Sequence, residues 1–207
     1  MTGGQDMNKI SMLPLRNSNV SLSMHWPVFS PAECAQIVAQ ANANGWDKKM
    51  PVGAGNVPVF PDGVETPGIE RQRLPLGKNG YPLDQISFGV SQVNSDGWRF
   101  ELTGIPADDM PWLVRQKKAD GKETDWEVDV GGAFTSSRKL CFILQLSDPT
   151  SYEGGDIDLH NTPTDTEGFR RQGTLVVFPG YWLHKISKVT KGTRHSVVGW
   201  VHGHSFR

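Results

Sequence analysis

The 207-residue chain lacks long apolar runs: none reaches the roughly eighteen residues that a membrane-spanning helix needs. Its N-terminus also lacks the charged segment followed by an apolar one that marks a secretion signal. We therefore expect neither a membrane span nor secretion. Cysteine is scarce too, because only Cys34 and Cys141 occur, and both lie in apolar patterns rather than in a CxxC motif. This usage predicts buried, reduced thiols, which suit a cytoplasmic protein.

Net charge is nearly absent, since 21 Lys and Arg face 22 Asp and Glu. Without a global positive potential, binding to nucleic acid or to an anionic membrane is disfavoured. The short basic runs at 115–118 and 170–171 are typical of solvated surface.

Glycine and proline, in contrast, are plentiful, with 23 and 14 copies. They disfavour a helix bundle and favour many short elements joined by tight turns. A hydrophobic content of 37% is enough for one buried core. We expect residues 25–207 to form a single domain after a leader at 1–24, whose opening MTGGQ resembles part of a common expression tag.

The clearest helix follows the strand-like stretch HWPVFS at 25–30. Ser30 and Glu33 have the spacing of a capping box, and Pro31 suits the first turn. An apolar stripe predicts a helix over 31–44 that packs on the outside of a sheet and ends at Gly45. The stripe consists of Cys34, Ile37, Val38 and Ala41.

Strand patterns dominate beyond residue 121. Six stretches of four to eight residues are bounded mostly by turn-forming residues, namely DWEVDV, KLCFILQLSD, GDIDLH, GTLVVFP, HKISKV and RHSVVGWV. They predict a mainly β (α+β) protein, with an antiparallel sandwich of the jelly-roll type. Residues 46–80 and 104–124 are interpreted as irregular, and residues 81–102 as a helix or extended segment followed by the strand WRFEL.

Two groups of polar residues carry candidate chemistry. In DWEVDV a period of two places Glu127 and Asp129 on one face, where paired carboxylates are costly unless a cation neutralises them. His184 begins a strand after a Pro-Gly turn. Arg194 and Ser196, which follow about ten residues later, share a strand face and form a candidate carboxylate clamp.

With these residues in place, the chain resembles a known family. RKLCFILQLSDPTSYEGGDIDLH followed by GTLVVFPGYWLHKISKVTKGTRHSVVGWVHG is similar to the iron(II)/2-oxoglutarate-dependent dioxygenases, in the prolyl-4-hydroxylase-like branch that includes PKHD-type hydroxylases. The resemblance covers roughly residues 94–204. It implies a double-stranded β-helix with the N-terminal helix on the outside, and hydroxylation of a C–H bond in a protein side chain or small molecule. The implied cofactors are Fe(II), 2-oxoglutarate and O₂, with ascorbate as a candidate addition, while the oligomeric state stays open.

The resemblance also implies roles for individual residues. Asp129 matches the metal-binding aspartate, His184 the distal metal-binding histidine, and Arg194 with Ser196 the pair that holds the 5-carboxylate of 2-oxoglutarate. Glu127 stands where the family has its first histidine ligand. Either Glu127 still binds the metal, since carboxylates suit hard divalent ions, or the site binds metal weakly or not at all. An ionised Glu127 would remove one favourable charge interaction with the co-substrate, worth about 4 kcal/mol at ~4 Å and an effective dielectric near ~20.

Other functions remain in view. The main alternative is a catalytically impaired jelly-roll pseudoenzyme that acts as a binding or assembly module. A sugar-binding or isomerising cupin shares the architecture but leaves the Arg194–Ser196 clamp unexplained. A nucleic-acid demethylase is disfavoured because that branch carries a second arginine where this chain has Trp200.

The remaining polar residues are given simpler roles. Gln145, in the apolar run LCFILQLSD, is a candidate co-substrate contact or a solvent-facing ladder residue. Arg138 and Lys139 are expected to frame the mouth of the site, and Tyr152 to belong to a tight turn. His195 is expected on the face opposite Arg194, and His202 in a mobile C-terminal end.

Overall fold

The structure is a computed structural model that describes residues 25–46, 68–118, 125–160, 162 and 164–205. The expected leader at 1–24 and parts of the segments predicted as irregular lie outside these residues. The described part contains three α-helices, α1 (Pro31–Asn44), α2 (Leu83–Asp96) and α3 (Thr166–Arg170). Its ten strands are β1 (His25–Pro27), β2 (Ile69–Arg73), β3 (Leu102–Gly104), β4 (Trp112–Lys117), β5 (Arg138–Gln145), β6 (Tyr152–Gly154), β7 (Ile157–Leu159), β8 (Thr174–Pro179), β9 (His184–Ile186) and β10 (Val189–Gly203).

The strands pair antiparallel throughout the described residues. The main sheet has the order β1-β8-β5-β10-β4-β2, and β3 and β6 also pair with β10. A separate pair is formed by β7 and β9. The predicted mainly β architecture is therefore confirmed, and the long strand β10 is the element that joins most of its parts.

Strands β2 and β4 correct the sequence analysis, which interpreted both stretches as irregular. Their sequences, IERQR and WLVRQK, carry charges that obscure the strand pattern. In the folded sheet these charges are paired, because the Glu70 carboxylate lies 2.6 Å from the Arg115 guanidinium and 2.9 Å from the Lys117 ammonium. Cross-strand ion pairs of this kind support a sheet without contributing an apolar signal.

Two predicted strands are also wrong. The stretch WRFEL does not form one, because α2 continues to Asp96 and the next strand begins only at Leu102. The stretch DWEVDV makes a single isolated bridge, between Glu127 and His184, rather than a ladder. Its extended backbone is nevertheless held, because the Asp129 amide donates to the Gly180 carbonyl at 2.7 Å.

Helix α1 forms as predicted. The Ser30 side chain accepts a hydrogen bond from the Glu33 amide, and the Glu33 carboxylate accepts one from the Ser30 amide at 2.8 Å, which completes the capping box. The stripe is buried at Cys34, Ile37 and Ala41 and partly buried at Val38. At the other end, the Gln72 amide donates to the carbonyls of Ala41 and Gly45, both at 2.9 Å, and so ties the helix terminus to β2.

The main sheet separates two apolar clusters. On the outer face, Leu140, Leu144 and Val197 pack with residues of α1 and α2. On the inner face, the second cluster fills the space between the main sheet and the β7–β9 pair; it includes Trp112, Cys141, Ile143, Ile157, Val176, Phe178 and Trp200. Because strand side chains alternate, one residue in two on β5, β8 and β10 belongs to each cluster.

Both cysteines are free and buried, as predicted. Burial raises the pKa of the Cys34 thiol to about 11, and burial also raises the pKa of Cys141, so neither is an accessible thiolate at neutral pH. No helix of the described residues is long and apolar enough to cross a membrane.

A buried polar network replaces the mobile end expected around His202. The Arg138 guanidinium binds the Asp109 carboxylate through Nε and Nη2, at 2.9 and 3.0 Å, and His202 Nε2 lies 2.8 Å from the same carboxylate. Arg138 also lies over the Trp200 ring at 3.7 Å. Burial acts to raise the pKa of Asp109, but the hydrogen bonds from His202 and Arg138 outweigh it and lower that pKa. Arg138 is therefore engaged in a closed ion pair.

His195 lies on the outer face, as predicted. Its ring packs against Trp46 with centroids 5.7 Å apart, and its Nε2 atom is buried without a hydrogen-bond partner. Burial, together with the positive charges of Arg115 and Lys117, lowers the pKa of His195 to about 4. The folded protein thus holds this imidazole neutral, whereas the unfolded chain protonates it near pH 6.5.

We predict that His195→Asn flattens the loss of stability on acidification. In the wild type, the unfolded state binds the extra proton first, so the free energy of unfolding should fall as the pH drops from about 6.5 to about 4. Urea unfolding at several pH values measures this slope. The control His204→Gln removes an exposed imidazole near the chain end and should keep the wild-type slope; equal slopes in wild type and His195→Asn would contradict the prediction.

Candidate metal and co-substrate site

Asp129 and His184, expected from the sequence as metal ligands, come together on the inner side of the fold. His184 Nε2 lies 3.6 Å from Asp129 Oδ2, and the two side chains are only 5% and 9% exposed. The His184 Nδ1 atom lies 2.9 Å from the Trp182 carbonyl. Because a carbonyl can only accept, Nδ1 carries a proton, and Nε2 is the ring nitrogen directed toward Asp129.

Local structure explains this placement. His184 begins β9 directly after the turn at Pro179 and Gly180, and its ring packs on Phe178 with centroids 4.8 Å apart. A Cβ atom at Gly180 would lie 3.2 Å from the Val130 side chain and 3.7 Å from the Asp129 Cβ. A glycine in the turn therefore lets the segment that carries Asp129 approach closely.

Glu127 lies directly opposite His184, because the two residues exchange backbone hydrogen bonds of 2.9 and 3.0 Å. Opposed residues of an antiparallel bridge point to the same side. Much of the residue remains exposed to water. The carboxyl group itself is nevertheless partly removed from water, which raises the pKa of Glu127. The negative charge of Asp129 raises this pKa further, whereas His184 and Arg71 act to lower it. The Arg71 pKa is in turn lowered by burial to about 10, against the effect of Glu127.

Among the residues that the structure describes, no three His, Cys, Asp or Glu side chains form a group ready to hold a metal ion. Asp129 and His184 therefore form a pair of candidate metal ligands that lacks a third member. Glu127 would have to reorient its carboxyl group to become a third ligand. Asp129 Oδ2 is buried and has no hydrogen-bond partner among the described residues, as expected of an oxygen that binds a cation.

Arg194 and Ser196 share the inner face of β10, as predicted, and both are fully buried. Arg194 Nη1 donates to Ser196 Oγ at 3.3 Å and to Gln116 Oε1. Burial lowers the pKa of Arg194. The nearby Tyr152 side chain acts to raise it and so offsets part of this lowering. Among the described residues, the Nε and Nη2 atoms of Arg194 have no hydrogen-bond partner, so half of the guanidinium faces the interior with its hydrogen-bonding capacity unused.

Gln145, the weaker sequence candidate, lies next to this clamp. It is opposite Ser196 in the β5–β10 register, is 2% exposed, and its Oε1 atom is buried without a partner. The solvent-facing alternative for Gln145 is therefore excluded. Sequence analysis missed Gln116, which sits opposite Arg194 in β4 and could have been found only if β4 had been recognised as a strand.

Comparisons with known proteins show the family to which the chain belongs. Residues 112–202 match the family model described as the 2OG-Fe(II) oxygenase superfamily. A PKHD-type hydroxylase of Xanthomonas campestris pv. campestris is 38% identical over 183 residues, covering 84% of this chain and 75% of that protein. The chain belongs to the 2OG-Fe(II) oxygenase superfamily.

Solved structures of such oxygenases share the fold. A Trichoplax adhaerens prolyl hydroxylase, in complex with a hypoxia inducible factor oxygen degradation domain peptide fragment, has a TM-score of 0.60 at 13% identity and covers 90% of this chain and 89% of its own. A viral collagen prolyl hydroxylase from Paramecium Bursaria Chlorella virus-1, in a 2OG complex, has a TM-score of 0.59 at 14% identity, with 87% and 97% covered. The predicted jelly-roll fold is thus confirmed. This oxygenase superfamily uses Fe(II), 2-oxoglutarate and O₂.

We predict that Asp129→Ala and His184→Ala each weaken binding of Mn²⁺, an oxygen-insensitive substitute for Fe²⁺, by more than about tenfold. Even partners that only orient metal ligands act on this scale. Electron paramagnetic resonance of free Mn²⁺ measures the affinity. Asp158→Ala is the matched control, because Asp158 lies 3.7 Å from Lys185 on the same small sheet; unchanged Mn²⁺ affinity in both site variants would show that the ion does not bind here.

Proposed function

We propose that the protein is a 2-oxoglutarate- and Fe(II)-dependent dioxygenase that hydroxylates a C–H bond of a protein side chain or small molecule. In this proposal Asp129 and His184 hold the metal, Glu127 supplies a third ligand, and Arg194 with Ser196 binds the 5-carboxylate of 2-oxoglutarate. The observation that carries it is the 3.6 Å approach of Asp129 and His184 within a chain of this superfamily.

The donor set supports a divalent cation. Asp129 contributes a carboxylate oxygen that has no hydrogen-bond partner among the described residues, and His184 contributes the nitrogen Nε2 of a ring already oriented by Trp182. Carboxylate and imidazole ligands suit Fe(II) and Mn(II). Burial first, and then the charge of Asp129, raises the pKa of Glu127, and a divalent ion would relieve the repulsion between these two carboxylates.

The free edge of Arg194 supports a bound carboxylate. A buried guanidinium that lacks acceptors is costly, and an anion placed against Nε and Nη2 would remove that cost. Gln116 and Ser196 hold the other nitrogen, so the fork has a fixed orientation before any ligand arrives.

Bound Fe(II), together with 2-oxoglutarate and O₂, would supply the oxidising power for hydroxylation, with succinate and CO₂ as co-products. The residues of this chain position these groups and exclude water from them. The apolar inner cluster, including Ile143, Phe178 and Trp200, lies on the same face of the main sheet as the clamp. Low local polarity strengthens the interaction of Arg194 with an anion.

A protein side chain is the substrate class we favour within this proposal. Trp126 and Val128 flank Glu127, and Tyr181 and Leu183 precede His184; all four are exposed at 36% or more. Exposed apolar groups beside a site commonly contact a partner chain. The similarity to a prolyl hydroxylase solved with a peptide fragment supports the same class.

A second candidate is a catalytically impaired binding or assembly module. It is favoured by one observation, the lack of a ready three-ligand group among the described residues where Glu127 replaces a histidine. In that case the clamp would bind 2-oxoglutarate or another diacid without turnover.

We predict that Glu127→His increases succinate production from 2-oxoglutarate. A neutral imidazole in place of a carboxylate leaves the metal site with one more positive charge, which attracts the dianionic co-substrate. The anaerobic complex with Fe(II) and 2-oxoglutarate should also show a stronger charge-transfer band in the visible spectrum. Succinate yield under air and the anaerobic spectrum measure the two effects.

The control Glu127→Gln removes the same charge but offers a weaker ligand, so it separates the electrostatic effect from metal coordination. An impaired module would give neither band nor succinate in the wild type, even with excess iron. If Glu127→His stays folded and changes nothing, Glu127 is not at the metal site.

A further inference from the structure

Three buried side chains around the clamp have polar atoms that find no hydrogen-bond partner in the part of the chain that the structure describes. They are Arg194 with Nε and Nη2, Gln145 with Oε1, and Tyr152 with its hydroxyl group, and none is more than 3% exposed. Most buried polar atoms in folded proteins find a hydrogen-bond partner. A cluster of unpartnered atoms on neighbouring strands therefore marks a place built for a polar ligand.

The free edge of Arg194 has the geometry that carboxylates prefer. Arg138, on the neighbouring strand β5, uses the same two atoms, Nε and Nη2, to bind both oxygens of Asp109 at 2.9 and 3.0 Å. In Arg194 that edge is open, because Gln116 and Ser196 occupy only Nη1. Gln116 stands directly opposite Arg194 in the β4–β10 register, so it fixes which edge of the fork faces inward.

The segment that carries Tyr152 packs directly on the Arg194 side chain. Strand β6 pairs with the first part of β10, with Tyr152 opposite Gly192. Gly155 follows with φ +70°, and a Cβ atom there would lie 2.6 Å from Arg194 Cδ. Only glycine fits this approach, which brings the segment against the arginine. Burial lowers the pKa of Arg194, and the Tyr152 side chain acts to raise it because its hydroxyl group stands near the guanidinium, although no hydrogen bond between them is formed.

Arg170 holds the same segment in place. Its guanidinium donates to the carbonyls of Pro149, Tyr152 and Gly154 at 3.3, 3.1 and 2.9 Å, and to the Asp156 carboxylate at 2.6 Å. It also lies over the Tyr152 ring at 4.5 Å from the centroid. Both the backbone and the ring of Tyr152 are thus fixed, although its hydroxyl group has no partner.

We propose that Tyr152 is a co-substrate-binding residue, whose hydroxyl group donates a third hydrogen bond to the carboxylate held by Arg194, and that Gln116 is a positioning residue for Arg194. This inference rests on the proposed function. A carboxylate accepts about four hydrogen bonds, so the Arg194 edge leaves capacity for the tyrosine hydroxyl. The sequence analysis expected Tyr152 in a tight turn, but the structure places it in strand β6, with its hydroxyl group buried.

The test uses Tyr152→Phe and Gln116→Met in the full chain loaded with Mn²⁺. Tyr152→Phe retains the ring beneath Arg170 and removes only the donor. Calorimetry should show 2-oxoglutarate binding about tenfold weaker in Tyr152→Phe, as expected for one hydrogen bond to a charged group. Gln116→Met should also weaken it. Mn²⁺ affinity and thermal unfolding should stay close to wild type in Tyr152→Phe. Tyr81→Phe, which removes a buried hydroxyl group at the outer apolar cluster, is the matched control.

A second ligand makes the test specific to the remote carboxylate. 2-Oxopentanoate retains the 2-oxo acid group but has a methyl group in place of that carboxylate. The ratio of its dissociation constant to that of 2-oxoglutarate should fall about tenfold from wild type to Tyr152→Phe. An unchanged ratio in a folded variant overturns the inference alone, whereas failure of the wild type to bind 2-oxoglutarate overturns it together with the proposed function.

Discussion

The burial of the Arg194 charge is the constraint around which this end of the molecule is arranged. A guanidinium removed from water must find acceptors, and this one finds them for a single nitrogen. Three neighbours accommodate this charge. Gln116 lies opposite it in β4, Ser196 contributes a hydroxyl group two positions along β10, and Gly155 lets the neighbouring segment pass close to the side chain. An apolar residue at 194 would need none of these, so the arrangement favours binding over stability.

Two arginines on the inner face, Arg138 and Arg194, differ in how their charge is satisfied. Arg138 is satisfied within the fold by Asp109 and by the face of Trp200, and it closes one part of the inner face. Arg194 has a comparable position but no carboxylate of its own. The acidic residues Asp129 and Glu127 lie instead at the histidine of the small sheet. In the proposed function, Asp129 and His184 would hold the cation and Arg194 the anion, which matches a ligand with a chelating end and a charged tail.

The sequence predicted those parts of the structure that depend on local patterns. The capping box at Ser30 and Glu33 and the period-two face shared by Arg194 and Ser196 are both local, and both are confirmed. Strands β2 and β4 were missed because their charges are satisfied only across the sheet, by partners far apart in the chain.

The polar groups of the site illustrate the same limit. Gln116 gains its role only from the register of β4 with β10, and Tyr152 only from the packing of its segment on Arg194. His202 was misinterpreted because its partner, Asp109, precedes it by 93 positions. Glu127 and Asp129 were expected on a full strand. Their segment instead forms one isolated backbone bridge, between Glu127 and His184.

The two halves of the site are anchored very differently. Strand β10 is bonded along both edges, to β4 and β5, at the position of Ser196. The segment around Asp129 is held by the bridge to His184 and by two amides that share the Gly180 carbonyl. Local opening follows the number of bonds that must break. We therefore expect the half around Asp129 to exchange its amide protons faster than the half around Arg194, so that an ion could enter or leave while the Arg194 half keeps its shape.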